Sequence, residues 1–360
     1  MAQVSIDFFS PQMLLSAVKQ VLPVPHFFRD RYCPTAPVDI YRSDKVLVEF
    51  QDGDQKMAPF VAPRVGDIPV DREGFEVAEF APARIAPSRV LTMDELEKKG
   101  FGEALYENLT PAERAARYQV ADMEYLDKRI ARREEWMAVQ MFINNSITIQ
   151  EYVDGKTAGS SYVMKFYSGL TSDHTYTVGD EWDDTNGDFF GDIEAMCDQL
   201  VQKGLPVEDL VLGATAAQKI LKLQEVRERL NKESGIITGE INAKLSSYPG
   251  VAYYGKMNFG GYVLNIFAAK EMYKDDLGAS QYYFPVKSAL VTAPACAHTM
   301  YGAVTQIDYG QDKFTTHTGA RVPKVEVNQG DDLRKLRLTA RPLTAPKAKS
   351  PFVYAANVVL

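Results

Sequence analysis

The sequence predicts an α+β chain built around one long helix, not the regular strand–helix alternation of a nucleotide-binding fold. Three observations lead there. The stretch from Pro111 to Ile143, PAERAARYQVADMEYLDKRIARREEWMAVQMFI, has no glycine and has proline only at its first position. Ahead of it lies a β-rich excursion punctuated by Pro59, Pro63, Pro69, Pro82 and Pro87. Behind it, apolar strand-like runs alternate irregularly with shorter helical segments.

Taken in order, Ser10-Pro11 opens SPQMLLSAVKQVL, with serine suited to the N-cap and proline to the first helical position, and Val24-Pro25 ends it. HFFRDRY follows, and its Phe27, Phe28 and Tyr32 read as an N-terminal arm that docks on another surface. IYRSDKVLVEF alternates like a strand and runs into Gly53 and acidic turn residues. The prolines that follow confine strands to edges, while the Val, Phe and Ile content argues against disorder. A two-stranded ribbon is marginal alone in water, so this one is expected to lie across a neighbouring subunit.

Thr110-Pro111-Ala112-Glu113 has the form of a capping box. The helix it opens would be a rod of roughly 50 Å. Ala116, Met123, Ile130 and Met137 recur every seventh residue, but Gln119 and Arg133 interrupt the stripe. That pattern fits a helix lying across a sheet better than a coiled coil. Arg129, Arg132 and Arg133, among Asp127, Glu134 and Glu135, read as a mixed-charge face for solvent or a neighbour.

A β-rich linker is expected from 144 to 177, then a helix from near Asp192 to near Gly204. DLVLGATAAQKIL reads as a buried strand, a turn at Gly213 and a helix capped by Thr215 with Gln218 that continues through KLQEVRERLNK. VAYYGKMNFGGYVLNIFAA reads as a hairpin around Gly260-Gly261, SALVTAP as an apolar strand, and FVYAANVVL as a tail pinned in a sheet.

Composition bounds the function. A net charge of −8 disfavours a general nucleic-acid binder. Three scattered cysteines, Cys33, Cys197 and Cys296, fit a reducing compartment and buried free thiols. No signal-peptide pattern or run of about 18 apolar residues is present, so folding in cytoplasm is expected. The acidic run Asp180, Glu181, Asp183, Asp184, Asp188, Asp192 and Glu194 is the best metal candidate. It fails the EF-hand register, because Gly187 in sixth place puts Trp182 first, and Gly191 in sixth place puts Phe190 fifth. Acids before and within a first helical turn instead favour the helix dipole. Cys296 and His298 supply two ligands, short of a zinc site, and no nucleophile elbow, zincin, P-loop or Rossmann spacing occurs.

Several segments then follow in a telling order: the aromatic arm, MAPFVAPRVGD, the charged helix, GDEWDD with GDIEAM, DLVLGATAAQKILKLQEVRERL, YPGVAYYGKMNFGGYVLNIF, and RPLTAPKAKSPFVYAANVVL. In that order, across essentially the whole chain, they resemble the major capsid protein of lambda-like tailed bacteriophages, the capsid protein E family. The resemblance implies the Hong Kong 97-type capsid fold: an N-terminal arm (1–44), an extended β-loop or E-loop (45–92), a peripheral domain (93–188) with a spine helix (110–143), an axial domain (189–305), and strands (306–360) returning to the peripheral domain. It implies self-assembly, through hexamers and pentamers, into an icosahedral head shell that encloses double-stranded DNA without sequence-specific binding. A separate scaffolding protein, a portal and a decoration protein would be the partners, and no membrane. The protein would reside in the virion after assembly in the host bacterial cytoplasm. Phe27, Phe28, Tyr32, Phe60, Val61, Val65, Phe75, Arg129, Arg132 and Arg133 are the expected subunit-interface residues. No catalytic residue, metal or cofactor is expected. Lys56 lies in the E-loop, but no asparagine partner for a cross-link is evident. An encapsulin-like compartment shell of the same fold, and a metal-dependent enzyme using the acidic run from Asp180 to Glu194, are the alternatives.

Overall fold

The computed structural model describes residues 26–51, 75–92, 111–153, 157–166, 173–234, 248–276, 278–328, 330 and 333–360. The segment from Ser10 to Val24, the capping residue Thr110 and the ribbon tip with Lys56 lie outside the described residues.

A six-stranded sheet organises the chain, in the order β6 (Thr175–Tyr176), β19 (Phe352–Ala355), β12 (Ala289–Thr292), β7 (Asp209–Gly213), β9 (Tyr262–Ala269), β8 (Val251–Phe259). The β7–β9 and β19–β6 pairs are parallel and the others antiparallel. Side chains alternate between the two faces of a strand, and here both faces are covered. Val211, Leu290, Phe352 and Tyr354 enter one core. Leu210, Leu212, Ala289, Val291, Val353 and Ala355 enter the other. Burial on both sides explains why DLVLG, SALVT and FVYA read as continuous apolar runs.

The second core is roofed by α3 (Phe189–Gln202) and α4 (Ala214–Ile220). Asp188 caps α3 by accepting the Gly191 N–H. The expected Thr215 cap is not formed: the N-cap is Gly213, with no side-chain cap bond. A Cβ on Gly213 would fall 2.2 Å from the Pro285 carbonyl oxygen, so the strand-to-helix turn passes too close to a neighbouring backbone for a side chain. Nor does the helix continue as expected. It stops at Ile220, and α5 (Gln224–Ser234) begins after a short turn. Buried Ile220 and Val226 both join the second core, and the break lets each segment turn an apolar residue toward it. Gly260 and Gly261, both at positive φ (57° and 108°), close the β8–β9 hairpin as the two-residue turn the sequence predicts.

The long helix α2 (Pro111–Asn144) has two halves in different surroundings. Met123, Leu126 and Ile130 lie on the three-stranded sheet of β16 (Val322–Asn328), β17 (Leu333–Thr339) and β3 (Ser88–Leu91), against Val325, Leu336 and Leu338. Further on, Met137, Ala138, Val139, Met141 and Phe142 enter the first core. There the helix is buried on almost every side, so a one-sided stripe cannot describe it. That core also takes in α1 (Phe27–Tyr32) and the pair β13 (Ala297–Tyr301) with β18 (Pro342–Pro346). Of the chain's last strands, β17 and β18 pack on α2, and β19, in the six-stranded sheet between β12 and β6, also meets it, with the Phe142 and Phe352 rings 4.9 Å apart. Beyond β19 the tail is held down. Val358 and Val359 are buried, the Val358 N–H donates to the Lys287 carbonyl, and the Trp182 N–H donates to the Val358 carbonyl.

Candidate functional site

Among the described residues, the features that bear on function are anchored segments and exposed faces. The arm comes first. Phe27, Phe28 and Tyr32 are 0 %, 2 % and 0 % exposed, within the chain's own core. Phe27 meets Phe267 with ring centroids 5.0 Å apart, Phe28 stacks on Phe284 at 5.6 Å, and Tyr32 meets Phe142 edge-on at 5.7 Å. The expectation that these rings contact a neighbour is therefore corrected: they are already spent on their own subunit.

Buried charge locks the same helix. Arg31 donates to both Asp209 oxygens, at 2.6 and 2.9 Å, and Tyr32 Oη donates to the same carboxylate at 3.1 Å. Burial opposes the Arg31 charge, but Asp209 overrides it and holds the guanidinium pKa above its ordinary value. Glu135 accepts the Phe28 and Arg29 backbone N–H groups at 2.9 and 2.8 Å, satisfying two donors that a helix start leaves without partners. Burial and the nearby Glu271 charge push the Glu135 carboxyl up to about 7. Glu134 faces Arg321 at 2.7 and 2.8 Å, with Tyr301 Oη donating at 3.0 Å. Burial would raise its pKa, but Arg321 holds it below the usual carboxylate range. Both glutamates are fully buried, so they are anchors and not part of a solvated mixed-charge face. Sequence spacing could not separate them from Asp127 and Arg129, earlier on the same helix. The signal available in hindsight is the doubled Glu134-Glu135 immediately before the apolar run WMAVQMFI.

Of the three arginines, Arg129 and Arg132 are exposed and Arg133 is half-buried. Arg129 lies over the Tyr125 ring, and Arg133 pairs with Asp276 and lies over Trp136. The ribbon is β1 (Val46–Gln51) paired antiparallel with β2 (Phe75–Phe80). Its root does not depend on another copy: Val46 and Val48 are buried in the first core, with Phe80 packed beside them. Its other face leaves Leu47 and Val77 each 50 % exposed. Phe75 is the first residue of β2, and Phe60, Val61 and Val65 lie outside the described residues.

The acidic run is dispersed among structural tasks. Asp192 accepts from Tyr176 Oη and Trp182 Nε1, both at 2.7 Å, Asp183 pairs with Lys219 at 2.6 Å, and Asp188 caps α3. Among the described residues, the one His/Cys/Asp/Glu group whose ligand atoms converge is His26, Glu135 and Glu271. Burial pushes the Cys197 and Cys296 thiols up to about 12 and Cys33 well above its ordinary value, so none supplies a thiolate near neutrality. No described helix is long and apolar enough to cross a membrane.

The arm, the long helix and the mixed sheet share a buried core, and the ribbon rooted in it carries half-exposed Leu47 and Val77 on its outer face, with Leu47 opposite Glu79. The comparisons supply the class of protein. Residues 10–356 match the family described as phage major capsid protein E, and the chain belongs to that family. Among solved structures, it resembles a protein described as a prophage capsid protein from Escherichia coli CFT073 (16 % identity, TM-score 0.67, covering 96 % of this chain and 98 % of that one). It also resembles the capsid of Ralstonia phage GP4 (10 %, 0.53, 93 % and 91 %) and a phage-related protein from Bordetella bronchiseptica RB50 (10 %, 0.52, 97 % and 98 %). At such identities these likenesses speak for the fold, which is the Hong Kong 97 type. No curated protein matches the chain by sequence.

Proposed function

We propose that the chain builds the icosahedral head of a tailed phage as a non-enzymatic subunit, with copies joined through the outward face of the β1–β2 ribbon and the exposed side of α2. The family match over residues 10–356 carries the shell-building role. Leu47 and Val77, half-exposed on a ribbon whose opposite face is rooted in the core, support the first contact. Burying such apolar surface stabilises by about 25 cal/mol per Å². Interfaces of about 1,600 Å² are ordinary, and a ribbon reaching over a neighbour adds to that area. Arg129 and Arg132 are suited to a neighbour's carboxylates. Phe60, Val61, Val65 and Phe75 would extend the ribbon contact. Hexamers and pentamers, a separate scaffolding protein, a portal, a decoration protein and assembly in the host cytoplasm complete the reading. On it, segments 1–44, 45–92, 93–188, 189–305 and 306–360 act as arm, E-loop, peripheral domain, axial domain and returning strands.

Electron microscopy of the expressed chain, alone and with the scaffolding gene product, tests this. Closed particles are expected, and persistent absence of particles under both conditions would contradict it. A cargo-holding compartment of the same fold would form similar particles, but the family match favours the viral shell. Terminase and portal genes beside this one, and no cargo-enzyme gene, are expected.

A further inference from the structure

His26, Glu135 and Glu271 converge at one place in the subunit, where Glu135 also holds the first N–H groups of α1. They come from the residue before α1, from α2, and from the turn between β9 and β10 (Met272–Lys274). Each offers one ligand atom, and these atoms lie within 4.8 Å of one another. His26 Nδ1 and Glu271 Oε1 are 2.9 Å apart. His26 is 3 % and Glu135 0 % exposed, while the Glu271 side chain, at 16 %, opens toward solvent.

A simple ion pair leaves this cluster unsatisfied. Among the described residues, His26 Nε2 is buried without a hydrogen-bond partner. If the ring is an imidazolium, Nε2 carries a buried N–H with nothing to accept it. If the ring is neutral and donates from Nδ1, Nε2 is a bare buried acceptor, and the Glu135 charge is left beside that of Glu271 with only backbone N–H groups to offset it. Either state is costly. The two backbone N–H groups on Glu135 orient its carboxylate, one per oxygen, and leave lone pairs free. The Tyr283 ring packs edge-on to the imidazole at 6.4 Å and holds its plane.

We propose that His26, Glu135 and Glu271 bind a first-row divalent cation of the zinc type, which ties α1, α2 and the end of β9 together. One imidazole nitrogen and two carboxylate oxygens suit zinc, whose bonds to such ligands are about 2.0–2.2 Å. Binding draws the three donors, now within 4.8 Å of one another, closer together, with Glu271 on its partly exposed turn moving most. The cation neutralises both carboxylates, and water entering past Glu271 takes the fourth position. The inference is independent of the assembly reading, since the three ligands belong to one chain.

Calorimetric titration of the chelator-stripped, unassembled full chain with zinc chloride tests it, alongside melting with and without zinc. One zinc per chain is expected, with a rise in melting temperature that grows with zinc concentration. In Glu271→Gln, on a partly exposed turn, and in His26→Gln, binding should weaken by about 100-fold or more, with the melting shift lost. Absence of stoichiometric uptake by the parent would overturn the proposal without recourse to any variant. Unchanged uptake in folded Glu271→Gln, with folding checked by circular dichroism, would overturn it equally.

Discussion

The arm helix α1 and the β1–β2 ribbon look alike in sequence: each is a short, aromatic-rich piece of chain far from any obvious core. In the structure they differ. All three large rings of α1 are buried in its own subunit, and Arg31, Tyr32 and the helix's first N–H groups are tied down by Asp209 and Glu135. The ribbon buries Val46 and Val48 and leaves Leu47 and Val77 half-exposed. Two extended segments of one chain thus have opposite duties. One completes the subunit, and the other is the contact we propose between copies. Aromatic content does not decide which; the neighbouring charges do, because a buried carboxylate on a partner element can hold one segment and not the other.

Substitutions separate the two duties. The largest effect is expected from Phe28→Ala, which leaves a cavity among Tyr32, Phe142 and Phe284. It should cost about 3–5 kcal/mol in urea unfolding of the unassembled subunit, and assembly should fail because folding fails. Arg321→Ala comes close behind. It removes the nearest cation from the fully buried Glu134, leaving it Arg29 at 3.4 Å and the Tyr301 hydroxyl, and should cost about 3–4 kcal/mol, while Arg321→Met, which keeps more packing, costs less. Asp209→Asn weakens the double bond to Arg31 and should cost about 1.5–3 kcal/mol. If any of the three left stability unchanged while abolishing particles, the arm would belong with the ribbon as an assembly element.

A smaller effect is expected from pH. His174 is buried with Nε2 3.2 Å from the Ile143 carbonyl oxygen, and burial lowers its pKa below the ordinary 6.5. The unfolded chain therefore takes up a proton at a pH where the folded chain refuses it. Stability from this group is complete above about pH 6.5 and is lost as pH falls through the lowered folded pKa. Unfolding curves at pH 7.5 and 5.5 should separate less in His174→Gln than in the parent. An equal separation would remove His174 from the account.

Much of the fold was legible in the sequence, for identifiable reasons. The glycine-free run gave α2, doubled apolar runs gave the sheet buried on two faces, and Gly260-Gly261 gave the hairpin. What was not legible depended on long-range contacts. The break after Ile220 lies in a stretch of good helix formers, and propensity cannot see the core that both short helices must face. Gly213 takes the cap position because of the Pro285 carbonyl, remote in sequence. Glu134 and Glu135 resembled surface charge because their partners, Arg321 and the N–H groups of α1, lie far along the chain. His26, Glu135 and Glu271 were hidden for the same reason.

The smallest expected change in stability belongs to the ribbon's outward face, and the same substitution tests the central claim most directly. Leu47→Asp with Val77→Asp alters exposed positions, so the subunit should keep its fold and lose no more than about 1 kcal/mol. Sedimentation velocity and electron microscopy should then find closed shells for the parent and only folded, unassembled subunits for the double variant. Shells of normal size from the double variant would contradict the account.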